Sequence, residues 1–171
     1  LFFAYFGSGQ ISYGDLSALT QLRSLTLLRA AIPPYEELAT TLGSLAAIEE
    51  CHIRFSTSNP LPNEFAEVFQ RWPRLMKLGV GPTLVPSVVL ESLAAHCPEL
   101  SEIDWCRVDS DASLRALSRM ESLRKVKVDI RGDITQAGLD CLSDLPNLVE
   151  LKVQLEAANA EPIMLLRDSL S

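Results

Sequence analysis

A short apolar pattern of the form Leu-x-x-Leu-x-Leu recurs along this chain and limits its possible folds more than any other feature. Six copies occur, with their first members 23 to 27 residues apart: Leu22/Leu25/Leu27, Ile48/Cys51/Ile53, Leu75/Leu78/Val80, Leu100/Ile103/Trp105, Leu123/Val126/Val128 and Leu148/Leu151/Val153. A further step of 24 residues towards the N-terminus reaches Leu1 and Phe3, which predicts a seventh strand there. Self-similarity at a fixed period indicates a repeat architecture.

The two halves of each repeat follow different periods. Alternating apolar residues in each copy predict a short strand with one face inward, near residues 24–28, 50–54, 77–80, 102–105, 125–128 and 150–153. Between copies the apolar spacing becomes helical, as in Phe65, Val68, Phe69 and Trp72. Residues typical of helix starts precede these stretches: Asn63, Ser87, Asp111 and Thr135. Each repeat is therefore predicted to be strand, loop, short helix and turn.

Strands alternating with helices are also found in doubly wound sheets and barrels, where both sheet faces are covered and strands read as continuous apolar runs. Here polar residues separate the apolar ones, as in Glu102-Ile103-Asp104-Trp105 and Lys125-Val126-Lys127-Val128. One face of the sheet must therefore meet solvent. The predicted fold is an α/β solenoid, a right-handed βα superhelix with parallel strands on the concave face and short helices on the convex face.

Composition narrows the functional classes. A chain of 171 residues with 47% hydrophobic residues suits one domain, and its net charge of −7 argues against binding to nucleic-acid phosphates. Apolar stretches are too short to span a membrane. The opening segment Leu1-Phe2-Phe3-Ala4-Tyr5-Phe6 lacks an initial Met and a basic region, so we expect a fragment whose upstream region is missing rather than a signal peptide.

Few residues in the sequence could bind a metal or act in catalysis. Four cysteines at positions 51, 97, 106 and 141 form no C-x-x-C pair, which predicts free thiols in a reducing compartment, either cytoplasm or nucleus. We expect no metal and no cofactor, since the sequence has no clustered ligands and no glycine-rich phosphate loop. We expect no catalytic residues and no enzymatic activity, because the sequence places no clear nucleophile or general base next to His52.

Two segments resemble the cysteine-containing leucine-rich repeats of F-box proteins. His96-Cys97-Pro98-Glu99-Leu100-Ser101-Glu102-Ile103-Asp104-Trp105-Cys106 is similar to that class's C-P-x-L-x-x-L-x-L-x-x-C, and Asp133-Ile134-Thr135-Gln136-Ala137-Gly138-Leu139 to its I-T-D-A-G-L helix start. The resemblance implies one leucine-rich-repeat solenoid over residues 1–171, with about six full repeats and a partial N-terminal one. It further implies an upstream F-box that docks a Skp-type adaptor, so that this chain is the substrate-recognition arm of a ubiquitin ligase. The alternative is a scaffold or sensor domain of an unrelated multidomain regulatory protein.

The repeat register predicts which strand residues face outward, where a protein partner would contact them. The partner-binding candidates are Glu50, His52, Arg54, Lys77, Glu102, Asp104, Lys125, Lys127, Asp129, Glu150 and Lys152. The register also places Cys106 outward, and it leaves a bare spot at Gly79 and Gly81. Lys125, Lys127 and Lys152 form a local basic group, for which we expect an acidic or phosphorylated partner segment.

Overall fold

Seven parallel strands, hydrogen-bonded in the order in which they occur along the chain, form one sheet. This computed structural model describes residues 3–6, 17–30, 35–55 and 59–155. The strands are β1 (Phe3–Phe6), β2 (Ser24–Ala30), β3 (Glu50–Phe55), β4 (Lys77–Gly79), β5 (Glu102–Val108), β6 (Lys125–Ile130) and β7 (Glu150–Leu155). The first of them is the predicted opening strand, and the other six fall at the predicted positions.

A short helix follows each strand from β2 to β6. These helices are α1 (Tyr35–Gly43), α2 (Phe65–Gln70), α3 (Ser87–His96), α4 (Asp111–Ser118) and α5 (Gln136–Asp140), the last continued by a 3₁₀ turn over Cys141–Asp144. Successive helices pack against one another and form a second layer beside the sheet. The prediction of a sheet covered on one face is therefore confirmed.

The core lies between these two layers. Leu100, Ile103, Leu123 and Val126 are at most 1% exposed, as the register predicts. Trp72 is fully buried and donates its indole N–H to the Leu42 carbonyl oxygen one repeat earlier, at 3.1 Å. Each repeat thus contributes apolar side chains to a core that runs continuously along the solenoid.

A repeated hydrogen-bond arrangement fixes the register at the start of each strand. One carbonyl oxygen of a repeat accepts the backbone N–H groups of two successive residues in the next repeat, at 2.7 to 3.1 Å. The accepting residues are Arg23, Glu49, Met76, Ser101 and Arg124. Because this junction recurs at every step, the first outward residues lie side by side: Ser24, Glu50, Lys77, Glu102, Lys125 and Glu150.

The predicted register fails within β5. Ile103 pairs with Val126 and Cys106 pairs with Val128, so Asp104 and Trp105 together face the single residue between those partners. Trp105 has a φ of +56°, in the left-handed region that bulky residues rarely adopt. The extra residue reverses the alternation, so that Cys106 is 2% exposed and Trp105 is only half-buried. The predictions of an outward Cys106 and an inward Trp105 are wrong for this reason.

The observed helix starts agree with the sequence-based predictions less closely than the strand positions do. Thr135 caps α5 as predicted, accepting a hydrogen bond from the Gly138 amide. At α4 the cap is Ser110 rather than Asp111, and α2 begins after Glu64 with no side-chain cap at all. Ser87 is the first residue of α3, directly after Pro86.

Candidate functional site

From β3 to β7, the first outward column of the sheet carries charges of alternating sign on neighbouring strands. Lys77 on β4 forms an ion pair with Glu50 on β3, with an Nζ to Oε1 distance of 3.1 Å. The hydrogen bond from Lys77 to Glu50 and the negative charges of Glu50 and Glu102 raise the pKa of Lys77 above its ordinary value. This ion pair joins the charged ends of two side chains on adjacent strands.

The basic group predicted on the C-terminal strands is largely neutralised by neighbouring carboxylates. Lys127 contacts Asp104 at 2.7 Å, and Lys152 contacts Glu150 on its own strand at 2.7 Å. The hydrogen bond and the charge of Asp104 raise the pKa of Lys127, and those of Lys152 lower the pKa of Glu150. Lys125 is exposed and forms no ion pair with any residue that the structure describes. The arrangement therefore offers one open lysine rather than three.

Asp129 lies on the open side of β6, but it is not available at the surface. Its two carboxylate oxygens accept hydrogen bonds from the Nε atoms of Arg107 and Arg131, both at 2.9 Å, and the residue is 5% exposed. The expectation that Asp129 is accessible to a partner is therefore corrected. Neither arginine was among the predicted site residues: the bulge in β5 changes the face on which Arg107 lies, and Arg131 lies beyond the end of β6.

The bare spot predicted at Gly79 and Gly81 is filled by side chains from the preceding strand. A Cβ at Gly79 would lie 2.5 Å from His52 Nδ1 and 3.1 Å from the Asp104 carbonyl oxygen. Gly81, at a φ of +63°, would place a Cβ 3.3 Å from Arg54 Cγ. The two glycines therefore form a floor against which the side chains of His52 and Arg54 lie.

The pairing between β4 and β5 is interrupted next to this floor. The ladder joins Lys77 with Glu102 and Leu78 with Ile103, and resumes as an isolated bridge between Leu84 and Arg107. Trp105 lies in the interrupted stretch. The glycine floor on one strand and the bulge on the next thus occur side by side on the open face.

The open face differs in charge from the chain as a whole. Along β3 to β7, the outward positions hold six bases and five acids, an excess of one positive charge. The bases are Arg54, Lys77, Arg107, Lys125, Lys127 and Lys152, and the acids are Glu50, Glu102, Asp104, Asp129 and Glu150. The net charge of the full sequence is −7. The open face therefore suits a partner segment with negative charge.

The thiols are separated from this face. Burial raises the pKa of Cys97 and of Cys106 to about 12, and it raises the pKa of Cys51 as well. Cys141 is half-buried, and all four thiols are free. His96, at the end of α3, lies with Nδ1 3.0 Å from the Ser92 carbonyl oxygen.

The described ranges contain neither a cluster of metal ligands nor a membrane span. Among residues 3–6, 17–30, 35–55 and 59–155, no group of three or more His, Cys, Asp or Glu side chains could hold a metal ion. No helix in the described part of the chain is both long and apolar enough to cross a bilayer. On the helix side, a groove between α1 and α2 is lined by Glu36, Glu64, Glu67 and Arg71, among others.

Comparisons with known proteins identify the fold. No known protein family matches the sequence, and no curated protein matches it. Among solved structures, the chain is similar to TLR13 in a TLR13–ssRNA13 complex, with a TM-score of 0.54 and 17% identity over 82% of this chain and 20% of that chain. An internalin (InlF) from Listeria monocytogenes gives a TM-score of 0.47 and 14% identity over 88% of this chain and 47% of that chain. This chain thus spans a fifth of the first protein and about half of the second. With the repeat register and the sheet covered on one side, the likeness to TLR13 shows that the chain has an α/β leucine-rich-repeat fold.

Proposed function

We propose that this chain is a non-enzymatic protein-binding module whose open strand face holds a partner polypeptide. One observation carries the proposal: the outward positions of β3 to β7 have an excess of one positive charge, whereas the whole chain has a net charge of −7. Maintaining solubility does not require a face whose sign opposes that of the chain, whereas selecting a complementary partner does. The ion pairs of Lys77 and Lys127 hold that pattern in place before binding, which lowers the entropy lost on association.

The more specific part of the proposal is a role in a ubiquitin ligase. The Cys97-Pro98 segment and the Ile134-Thr135 helix start resemble the repeats of F-box proteins, in which an upstream F-box docks a Skp-type adaptor. On this proposal the chain is the substrate-recognition arm and acts in the cytoplasm or nucleus, with no nucleic acid or membrane as its partner. The alternative is a scaffold or sensor domain with the same face and a different neighbouring domain.

The test is affinity isolation of the full-length protein from its own cells, followed by quantitative mass spectrometry. We expect the charge reversals Lys125→Glu and Lys152→Glu together to remove at least one partner that the unaltered protein retains. Arg119→Glu, at the exposed end of α4 on the helix side, is the matched control and should retain that partner. A Skp-type adaptor should accompany all three forms, because it would bind upstream.

The outcomes separate the two parts of the proposal. Partner loss on the strand-face variant without any Skp-type adaptor would exclude the ligase role and favour the scaffold or sensor. If the strand-face variant and the control retain identical partners, the strand face is not the binding surface, and the module proposal fails. Far-ultraviolet circular dichroism of the purified variants must match the unaltered chain, since misfolding would remove partners for a trivial reason.

A further inference from the structure

Trp105 occupies a position that core packing does not explain. It is half-buried and does not belong to the apolar core cluster of the described residues, although Ile103 and Cys106 on either side of it do. Its φ of +56° is unfavourable for any residue with a Cβ and worst for bulky ones. A strained, large aromatic side chain on an open face is the kind of feature that clusters at binding sites.

Polar side chains lie on the strands on both sides of Trp105. On β4, the position opposite the bulge is a glycine floor, and the His52 and Arg54 side chains of β3 lie across that floor. On the other side, Asp104 is held by Lys127 at 2.7 Å. His52 and Arg54 thus lie on the β3 side of Trp105, and the Asp104–Lys127 ion pair lies on the β6 side.

Arg54 supplies the uncompensated charge in this group. It is exposed, and it forms no ion pair with any residue in the described ranges, unlike Lys77, Arg107 and Lys127. A guanidinium presents a planar set of donors that matches a carboxylate in bidentate fashion. Tryptophan and arginine are also the residues most enriched among those that dominate binding energies.

We propose that Trp105, Arg54 and His52 form a recognition site for an extended acidic segment of the protein partner. The indole of Trp105 packs against an apolar side chain of that segment, and Arg54 binds a neighbouring carboxylate, with His52 lining the site between them. This inference rests on the proposed function, because it specifies where on the open face the partner is read.

The geometry also sets the spacing of the recognised residues. Arg54 and Trp105 lie two strands apart, which corresponds to about 10 Å between their backbones. The Arg54 side chain lies next to Gly81 and is long enough to span part of this distance. Residues i and i+2 of an extended segment point to the same side and lie about 6.6 Å apart along it. The site therefore fits an acidic residue and an apolar residue separated by one position.

The test begins with a phage-displayed library of random peptides, each about twelve residues long, selected on the full chain. We expect enriched peptides to carry Asp or Glu two positions from Leu, Ile, Phe or Trp. Synthetic copies of these peptides should shift the emission of Trp105 and protect it from iodide quenching. Trp72, the second of the chain's two tryptophans, is fully buried and gives a constant background.

Variants then assign the binding to these residues. We expect Arg54→Gln and Trp105→Gly each to weaken peptide affinity at least tenfold, and Arg74→Gln to change it less than twofold. Arg74 is an exposed arginine on the turn between α2 and β4 and is the matched control. Trp105→Gly also relieves the left-handed backbone, so its melting temperature should equal or exceed that of the unaltered chain. A role of Trp105 in stability alone would lower the melting temperature instead.

Three results would overturn this inference while leaving the proposed function intact. The first is that the enriched peptides lack the acid–apolar spacing. The second is that neither Arg54→Gln nor Trp105→Gly changes peptide binding. The third is that a random 20-nucleotide single-stranded RNA binds at the same two residues more strongly than any peptide does. A native partner lost with the Lys125 and Lys152 reversals but kept by Trp105→Gly would overturn the inference as well. Conversely, peptide binding at this site without any partner sensitive to strand-face charge reversal would reject the proposed function alone.

Discussion

Thr135 donates both its backbone amide and its hydroxyl to the carboxylate of Asp111 in the preceding repeat, at 2.9 and 2.6 Å. The same hydroxyl oxygen accepts a hydrogen bond from the Gly138 amide and so caps α5. Asp111, at the start of α4, therefore fixes the start of the next helix rather than capping its own. These hydrogen bonds lower the pKa of Asp111 below its ordinary value of 3.8, with the Thr135 hydroxyl as the main cause.

Removal of this carboxylate should destabilise the chain. We expect Asp111→Ala to lower the free energy of unfolding by about 1 kcal/mol, since both Thr135 donors lose their acceptor near the surface. Urea denaturation followed by circular dichroism measures the change. Asp133→Ala, an exposed aspartate two residues before Thr135, is the matched control and should stay within about 0.5 kcal/mol. Equal losses from the two variants would contradict a specific role for Asp111.

The contribution of Asp111 should depend on pH in a defined direction. Because its pKa is lower in the folded state than in the unfolded state, its contribution is fully present above the unfolded pKa and is lost as pH falls through the folded pKa. We therefore expect the stability difference between the unaltered chain and Asp111→Ala to be constant from pH 7 to about 5 and to shrink below about 4. Urea titrations across this range measure it. A difference that grows in acid would mean that the sign is wrong.

The loss of stability caused by substituting Gly138 should depend on whether Asp111 is present. A Cβ at Gly138 would collide with the Asp111 carboxylate, so Gly138→Ala forces that side chain away from Thr135. We expect Gly138→Ala to destabilise the chain that retains Asp111. In an Asp111→Ala background this loss should shrink, because the carboxylate is absent and only the Cβ of residue 111 remains, 3.2 Å from the new methyl group. A double-mutant cycle measures the coupling, and simple additivity would refute the proposed contact.

Only one of the four thiols should react quickly in the folded chain. Cys51, Cys97 and Cys106 are at most 4% exposed, and burial disfavours their thiolates, which are the reactive form. We expect Ellman's reagent at pH 8 to modify Cys141 first and the other three at the rate of unfolding. Cys141→Ser should abolish the fast phase, whereas Cys106→Ser should retain it. A fast phase of two thiols in the unaltered chain would place Cys106 on the open face after all.

Truncation of a buried apolar residue of a repeat should cost far more stability than truncation of an exposed apolar one. Leu123 is fully buried, and we expect Leu123→Ala to lower the free energy of unfolding by about 2–5 kcal/mol through lost burial and a cavity. Val149 is 73% exposed and directly precedes β7, so Val149→Ala should change stability by less than about 0.5 kcal/mol. Chemical denaturation of both variants measures the contrast. Similar values would contradict the register of the sheet.

The strand register was predictable because the alternation of apolar and polar residues is strict wherever one sheet face is buried. It failed at β5, where an additional residue is accommodated by a backbone conformation that no local pattern announces. A signal was nevertheless present: counting back from the buried Val108 places Cys106 inward and Arg107 outward. Counting the alternation of β5 back from Val108 would have shown the additional residue, and it would have placed Arg107 on the same face as Asp129.

The rest of the candidate site depends on side-chain placement that sequence spacing cannot provide. That Gly79 and Gly81 occur on β4 and directly after it is visible in the sequence, but that His52 and Arg54 occupy the space above them is not. Likewise, adjacent Ser110 and Asp111 are both good caps, and only the position of Thr135 in the next repeat decides which one caps α4. The side-chain contacts that decide such cases join two repeats, so the contacting residue lies about 25 positions away in the sequence.

The in-register column from Glu50 to Glu150 has a consequence for how such a chain can change its length. Removal of residues 77–101, one whole repeat, would bring Glu50 beside Glu102, and like charges directly opposite one another destabilise a sheet. Removal of residues 77–124, two repeats, would bring Glu50 beside Lys125 and preserve the alternation. The alternating charges therefore favour the duplication or deletion of an even number of repeats over an odd number. Pairs of repeats are the units that can be gained or lost without electrostatic penalty, even though a single repeat is the unit of folding.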